Sequence, residues 1–327
     1  MFHIIVNLAL ILTFIIPMSA KAEWFFFSDT AMTTAIELEM WSDDAAVAKL
    51  ISTKVFAEFK RIDQSMSRYQ STSELSKVNR MAALEPVRVS GELLRLIQRS
   101  TELSTLSSGA FDITFASLGY LYDFRAAKQP SQKWIRKQLP SVNYQNIIVD
   151  EKAKTIAFKQ EGTLLDLGGI AKGYTVDLGV AILKDYGISH ARLSAGGDMR
   201  MLGDKKGKPW MIGIKDPRKE AQHAVVLPLS SVAISTSGDY ERFFIDEVGE
   251  RVHHIISPKT GRPAKGIQSV SVIGPNAITT DGLSTAIFVL GVEQGLSLIE
   301  SLPDVDVIII DAERQMHFSK GLMMPVN

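Results

Sequence analysis

Residues 276–291 read N-A-I-T-T-D-G-L-S-T-A-I-F-V-L-G. From Ala277 to Leu290 the stretch is apolar enough to be a buried helix, yet one end is crowded with oxygen. Asp281 and Thr285 are four apart, so on a helix they share a face one turn apart. Thr280 and Ser284 repeat that spacing beside them. A carboxylate stacked over a hydroxyl on an apolar helix is unfavourable unless something offsets its desolvation. A hard, oxygen-seeking cation such as Mg²⁺ would do so, with further oxygens from elsewhere in the chain. A second reading needs no metal, because Asp and Thr at a helix start also cap loose N–H groups.

A buried helix needs a sheet to cover it, and the flanking sequence supplies strands. Met32–Trp41 alternates apolar and polar side chains. Ser42 then opens an amphipathic helix with Val47, Leu50, Ile51, Val55, Phe59 and Ile62 on one stripe. Asp63–Asn79 is polar and reads as a loop, with Tyr69 alone among small residues, either surface decoration or a face for a planar ligand. Val87–Val89 is a short strand, Ser90–Leu106 a second amphipathic helix, and Ile147–Val149 with Thr155–Phe158 a hairpin. Further strands are expected at Ala191–Ser194, Trp210–Ile214, Ala224–Leu229, Val232–Thr236, Val270–Ile273 and Val307–Ile310, with a helix from about Ile170 to Tyr186. Strands interspersed with helices, without a regular βαβ rhythm, predict an α+β fold: a mostly antiparallel or mixed sheet with flanking helices.

The chain has 327 residues, enough for ample core, and 36 basic against 36 acidic side chains. That balance gives no electrostatic footprint for nucleic acid. The first 22 residues differ from the rest: an apolar run Ile4–Ile16 broken only by Asn7 and Thr13, then Pro17 and Ala20-Lys21-Ala22. This predicts a cleaved secretory signal peptide over 1–22, a single domain over 23–327, and a periplasmic location. There is no cysteine, so no disulfide is expected and none is available as a lipid anchor.

Three other stretches carry chemistry. Leu164–Tyr174 reads L-L-D-L-G-G-I-A-K-G-Y, where Asp166 ends an apolar segment and two glycines turn the chain into a helix holding Lys172. Glycines admit close backbone approach, a helix start attracts anions, and a lysine adds a point charge for phosphate. In Arg251–Pro263 two adjacent histidines, His253 and His254, should face opposite ways on a strand; one is a candidate general base, or a buried and satisfied side chain. Gly109-Ala110-Phe111-Asp112 and Ser194-Ala195-Gly196-Gly197-Asp198 are tight turns.

Taken together, these stretches resemble the ApbE family, the FAD:protein FMN transferases, over nearly the whole chain after residue 22. The landmarks are Tyr69 with Ser71–Ser76, Gly109–Asp112, Asp166–Tyr174, Ala195–Asp198, His254–Pro258 and Thr280–Ala286. The resemblance implies an enzyme that binds FAD and Mg²⁺ and transfers FMN to a threonine hydroxyl of a partner protein, releasing AMP. It implies the metal on Asp281, Thr285 and the backbone carbonyl of Gly169. It implies FAD contacts at Met32, Tyr69, Ala110, Phe111, Asp112, Asp166, Lys172 and Ile255. Ser284 and Ser257 stand where relatives carry acidic residues. In this reading Mg²⁺ and Lys172 neutralise the pyrophosphate, Tyr69 offers a flat face to the isoalloxazine, and His254 accepts the acceptor hydroxyl's proton. The acceptor would be a membrane-associated redox subunit. Two alternatives share the site: a Mg²⁺-dependent FAD pyrophosphatase giving FMN and AMP, and a non-catalytic FAD carrier.

Overall fold

Alternating side chains build the expected sheet. Ile36, Leu38 and Met40 are enclosed on one face, while Glu39 points to the other and meets Lys205 and Arg192. The computed structural model describes residues 22–219 and 221–323; the expected export segment lies, except for Ala22, outside the described residues. Eight strands form one sheet: β1 Glu23–Ala31, β2 Thr34–Ser42, β3 Ala191–Ala195, β4 Asp198–Leu202, β5 Ala233–Gly238, β6 Ile267–Gly274, β7 Asp306–Asp311 and β8 Met316–Phe318. They lie side by side in chain order, and every neighbouring pair is antiparallel.

Five helices matter for the site: α1 Ala45–Met66, α2 Glu74–Met81, α3 Gly91–Leu106, α4 Ala171–Asp185 and α5 Ala277–Leu290. One sheet face packs against α1 and α4, with Val55, Phe59, Val176 and Val180 meeting Leu38 and Leu193. Further along the same face, Leu283 and Ile287 of α5 join Val270, Val272, Val307 and Ile309. The opposite face is closed by a hairpin, Trp210–Lys215 with His223–Leu229, over Met201, Ile234, Ile273 and Ile308. Between β2 and β3 the chain inserts α2, α3 and a small antiparallel sheet, Val87–Arg88, Thr155–Phe158 and Ile147–Asp150. This insertion packs on α5, where Gly282 leaves room for Leu103.

Some local readings change. Met32 and Thr33 do not begin a strand; they form the turn between β1 and β2, with φ of 52° and 61°. Helix α1 is capped by Asp44, whose carboxylate accepts from Ala46 and Val47 N–H, while Ser42 closes β2. Val47 and Leu50 are exposed rather than on the core stripe, and Ala48 and Phe56 are buried in their place. The polar stretch 63–79 is a loop only from 67 to 73, because α1 runs on to Met66 and Ser73 caps α2 at Ser76 N–H. Leu75 and Val78 are the buried apolar side chains of α2, too few for a readable period.

Candidate active site

The glycine bend begins between two buried leucines, Leu165 and Leu167, which hold the segment in the core and leave Asp166 at its surface. Gly168 N–H donates to Asp166 Oδ1 at 2.7 Å, and Ile170 N–H to Leu167 O at 3.0 Å, turning the chain into α4. A Cβ on Gly169 would lie 3.4 Å from Thr285 Oγ1 and 3.3 Å from the Phe111 ring. The bend and helix α5 therefore meet at one point.

Helices α4 and α5 run antiparallel and cap each other. Asp281 Oδ2 on α5 accepts from Gly173 N–H in the first turn of α4 at 3.0 Å. In return Asp177 on α4 accepts from Ala277 and Ile278 N–H, the first turn of α5, at 2.9 Å each. Asp281 is thus a cap, as one sequence reading held, but it caps the neighbouring helix. Asn276 caps α5 itself through Thr279 N–H.

Asp281 is 3% exposed and Asp198, at the start of β4, 2%. Lys172 Nζ lies between them, 2.5 Å from Asp198 Oδ2 and 3.6 Å from Asp281 Oδ2. Burial, then the charge of Asp198, push the Asp281 carboxyl far above the ordinary carboxylate range. Burial would lower the Lys172 ammonium, but Asp198 and then Asp281 outweigh it and the net shift is upward. With both carboxylates ionised, the trio carries two negative charges against one positive. The lysine is therefore the counter-ion of two carboxylates, not the free phosphate clamp its position suggested.

Beside them, Thr285 Oγ1 stands 3.3 Å from Ser237 Oγ on β5. Ser284 turns away, bonding Ser237 Oγ at 2.8 Å and Asp281 O at 2.9 Å. Thr280 bonds Ser235 at 2.8 Å. Among the described residues only Oδ2 of Asp281 is hydrogen-bonded, which leaves Oδ1 for a ligand. No group of three or more His, Cys, Asp or Glu side chains forms a metal cage among the described residues. One under-compensated carboxylate, a hydroxyl and glycine backbone make a sparse set of hard oxygens. Such a set suits a cation that keeps much of its water, as Mg²⁺ does.

The two histidines do part company. His253 is buried edge-on to Phe288, its Nε2–H donating to Ala264 O at 2.9 Å and its Nδ1 accepting from Ile255 N–H. His254 faces the cleft. Its Nδ1–H donates to Arg242 O at 3.2 Å, leaving the Nε2 lone pair free. Burial first, and Arg242 second, lower its pKa to about 4, so the ring is neutral at neutral pH.

A cleft of about 440 Å³ unites these groups. Its floor is Gly168, Gly169, Lys172, Asp281 and Thr285; one wall is Phe111, Ile113 and Phe115, and the other Thr236, Ser237, His254 and Ile255. Met32 and Tyr69 stand on the rim. Tyr69 is 68% exposed, with the Arg68 guanidinium 4.5 Å from its ring centroid and bonded to its hydroxyl at 2.8 Å. Arg68 also pairs with Asp166 at 2.7 Å. Ala110 and Asp112 line the cleft, but the Asp112 carboxylate points inward, holding Thr114 N–H, Thr114 hydroxyl and Tyr144 N–H. All twelve residues expected from the sequence therefore border one cavity. Sequence reasoning missed Asp198, Ser237, Arg242 and Arg68. Asp198 stood in a noted glycine turn, and the S-T-S-G ending of β5 was the available signal for Ser237.

Fold and cleft together define a class: α+β proteins in which an antiparallel sheet and two mutually capped helices hold a buried carboxylate under a deep cleft of mixed polarity. A sequence model of the ApbE family matches residues 32–309, and the chain belongs to that family. The FAD:protein FMN transferase of Klebsiella pneumoniae is 32% identical, over 90% of this chain and 91% of its own. That of Treponema pallidum is 31% identical, over 83% and 79%. An ApbE protein from Thermotoga maritima matches the fold with a TM-score of 0.85 at 32% identity, covering 92% of this chain and 98% of its own. The flavin transferase ApbE of Vibrio cholerae matches at 0.83 with 27% identity, covering 93% and 99%.

Proposed function

We propose that this protein is a Mg²⁺-dependent FAD:protein FMN transferase, moving FMN from FAD to a threonine hydroxyl of a partner protein and releasing AMP. The observation that carries the reading is the meeting of the Gly169 bend with Thr285, beside the buried Asp281, on the floor of the cleft. The names of the relatives fit it. The cleft volume falls in the range of about 300–1,000 Å³ common for small-molecule sites.

Asp281, Thr285 and the Gly169 carbonyl would hold Mg²⁺, which when bound neutralises charge building on the pyrophosphate oxygens. His254 Nε2 accepts the proton of the acceptor threonine as its Oγ attacks the FMN-side phosphorus. The P–O bond to the adenylate half breaks, and AMP leaves with the bridging oxygen. Tyr69 and Met32 bracket the ligand at the rim. Phe111, Ile255 and the backbone of Ala110 and Asp112 line its path, and Asp166 and Lys172 border it from the floor side. The walls hold the substrates in register and keep bulk water from the phosphorus.

The reading extends to location and partner: export to the periplasm by residues 1–22, and a membrane-associated redox subunit as acceptor. The apolar run Ile4–Ile16 followed by Ala20-Lys21-Ala22 supports the export. No helix among the described residues is long and apolar enough to cross a membrane. Function is tested by incubating the protein with FAD, Mg²⁺ and a threonine-bearing redox subunit, then weighing the acceptor for added FMN. Equal AMP release without acceptor would replace transfer by hydrolysis, and unconsumed FAD in both arms would refute catalysis. N-terminal sequencing of exported protein beginning at Glu23 checks the leader.

A further inference from the structure

The cation site, as read above, contains a competitor. Lys172 Nζ is within reach of Asp281 Oδ2 at 3.6 Å, and an ammonium there opposes a divalent ion on the same carboxylate. It does not close that gap because it is pulled the other way, to 2.5 Å from Asp198 Oδ2. Asp198 is set where it can pull. It follows the Gly196-Gly197 turn at the start of β4, is enclosed by the sheet, and pairs in register with Ala195 and Ser235. Gly197 permits that turn to lie against β5, since a Cβ there would be 2.6 Å from Thr236 O. Lys172 is held at its root by the first turn of α4, so the side chain has two carboxylates to choose between. Asp198 is enclosed behind the cleft lining, and its negative charge would repel rather than bind a pyrophosphate.

We propose that Asp198 is a positioning residue that restrains Lys172, holding the ammonium off Asp281 so that Asp281 stays open to a divalent cation. The inference rests on the assignment of the cation to Asp281. The lysine compensates the buried carboxylates while the site lacks metal, and Asp198 retains it when metal arrives. Asp198 touches neither substrate nor cation in this scheme and acts only through Lys172.

Calorimetric titration of the full chain with MgCl₂, without FAD or acceptor, tests this directly. Asp198→Asn is isosteric and frees the lysine to close on Asp281, so Mg²⁺ affinity should fall at least about tenfold. Adding Lys172→Met to Asp198→Asn removes the intruder, and affinity should return to within about threefold of wild type. Asp198→Glu keeps the restraint and should bind nearly as wild type does. A purely structural role for Asp198 would make the double variant no better than the single, and that result overturns the proposal. So does unchanged affinity in Asp198→Asn. If Asp198→Asn fails to fold, the Asp198→Glu and Lys172→Met chains decide: loss of Mg²⁺ binding in Asp198→Glu, with its carboxylate intact, overturns the restraint, as does loss in Lys172→Met at pH 8.5. Absence of Mg²⁺ binding in the wild type overturns the cation assignment itself, whereas wild-type binding with insensitive variants overturns only the restraint.

Discussion

Gly173 is where the packing of the two central helices can be tested with one methyl group. A Cβ at this position would sit 2.2 Å from Ala277 O, 2.7 Å from Ala277 C and 2.8 Å from Asp281 Cβ. Ordinary contact begins near 3.4 Å, so the deficit is about 1.2 Å, and two of the opposing atoms are backbone that no rotamer change removes. Gly173→Ala therefore drives α4 and α5 apart by roughly 1 Å, stretching the Gly173 N–H bond to Asp281 and the Asp177 caps on α5. Overpacking of this kind costs about 1–3 kcal/mol. In a chain of this size each kcal/mol lowers Tm by roughly 2–4 °C. The same displacement at Asp281 should reduce transfer about 100-fold, because the reacting groups lose register. Thermal melting, Mg²⁺ titration and the flavinylation rate measure the three effects. Gly91→Ala is the control, since a Cβ there meets only the flexible end of Arg95 at 3.3 Å; its melting temperature should be unchanged or slightly higher. A Gly173→Ala protein that melts and binds Mg²⁺ like wild type would refute the close approach and the cation site built on it.

Three further outcomes are expected. Burial and the charge of Asp198 raise the Asp281 pKa well above the ordinary carboxylate range, so protons compete with the cation near neutrality: Mg²⁺ affinity should weaken progressively on acidification. Asp281→Asn should abolish the dependence together with binding, and a flat titration in wild type from pH 5.5 to 8.5 would dismiss Asp281 as a ligand. Tyr69→Ala should weaken FAD retention by about 0.5–1.5 kcal/mol with little change in the chemical step, read by flavin fluorescence; unchanged affinity would remove the stacking role. His254→Gln should slow transfer about 100- to 10,000-fold while FAD still binds. Its imidazole resonances in wild type should titrate near pH 4, well below the usual histidine range, and a midpoint near 6.5 would contradict the desolvated, Arg242-bonded placement at the cleft wall.

Elements with enough residues to show a period were legible in the sequence. Helix α3 begins after Ser90 as expected, β6 and β7 lie around their Val and Ile runs, and α5 occupies 277–290. The short pieces were not. Helix α2 buries few apolar side chains, and β4 carries Asp198, Met199 and Arg200 with no clean alternation. Met32 read as strand because its neighbours alternate, yet it sits at positive φ in a turn, a state set by pairing of β1 with β2.

For the site, chemistry was written locally and partnership was not. A carboxylate four residues from a hydroxyl, a glycine pair ahead of a helix and a pair of adjacent histidines are each visible within a dozen residues. Their meaning depends on which atoms they face across 108 residues of chain, as Asp281 faces Gly173. Lys172 shows the difference most plainly. From sequence it was a positive charge at a helix start, and the fold gave it two buried acids to neutralise. The histidines divided the same way: strand alternation required one in and one out, and only packing against Phe288 determined that His253 is the one inside. Local spacing sets which groups share a face, whereas burial and opposing charge, which govern protonation and reactivity, arise only when distant segments close around them.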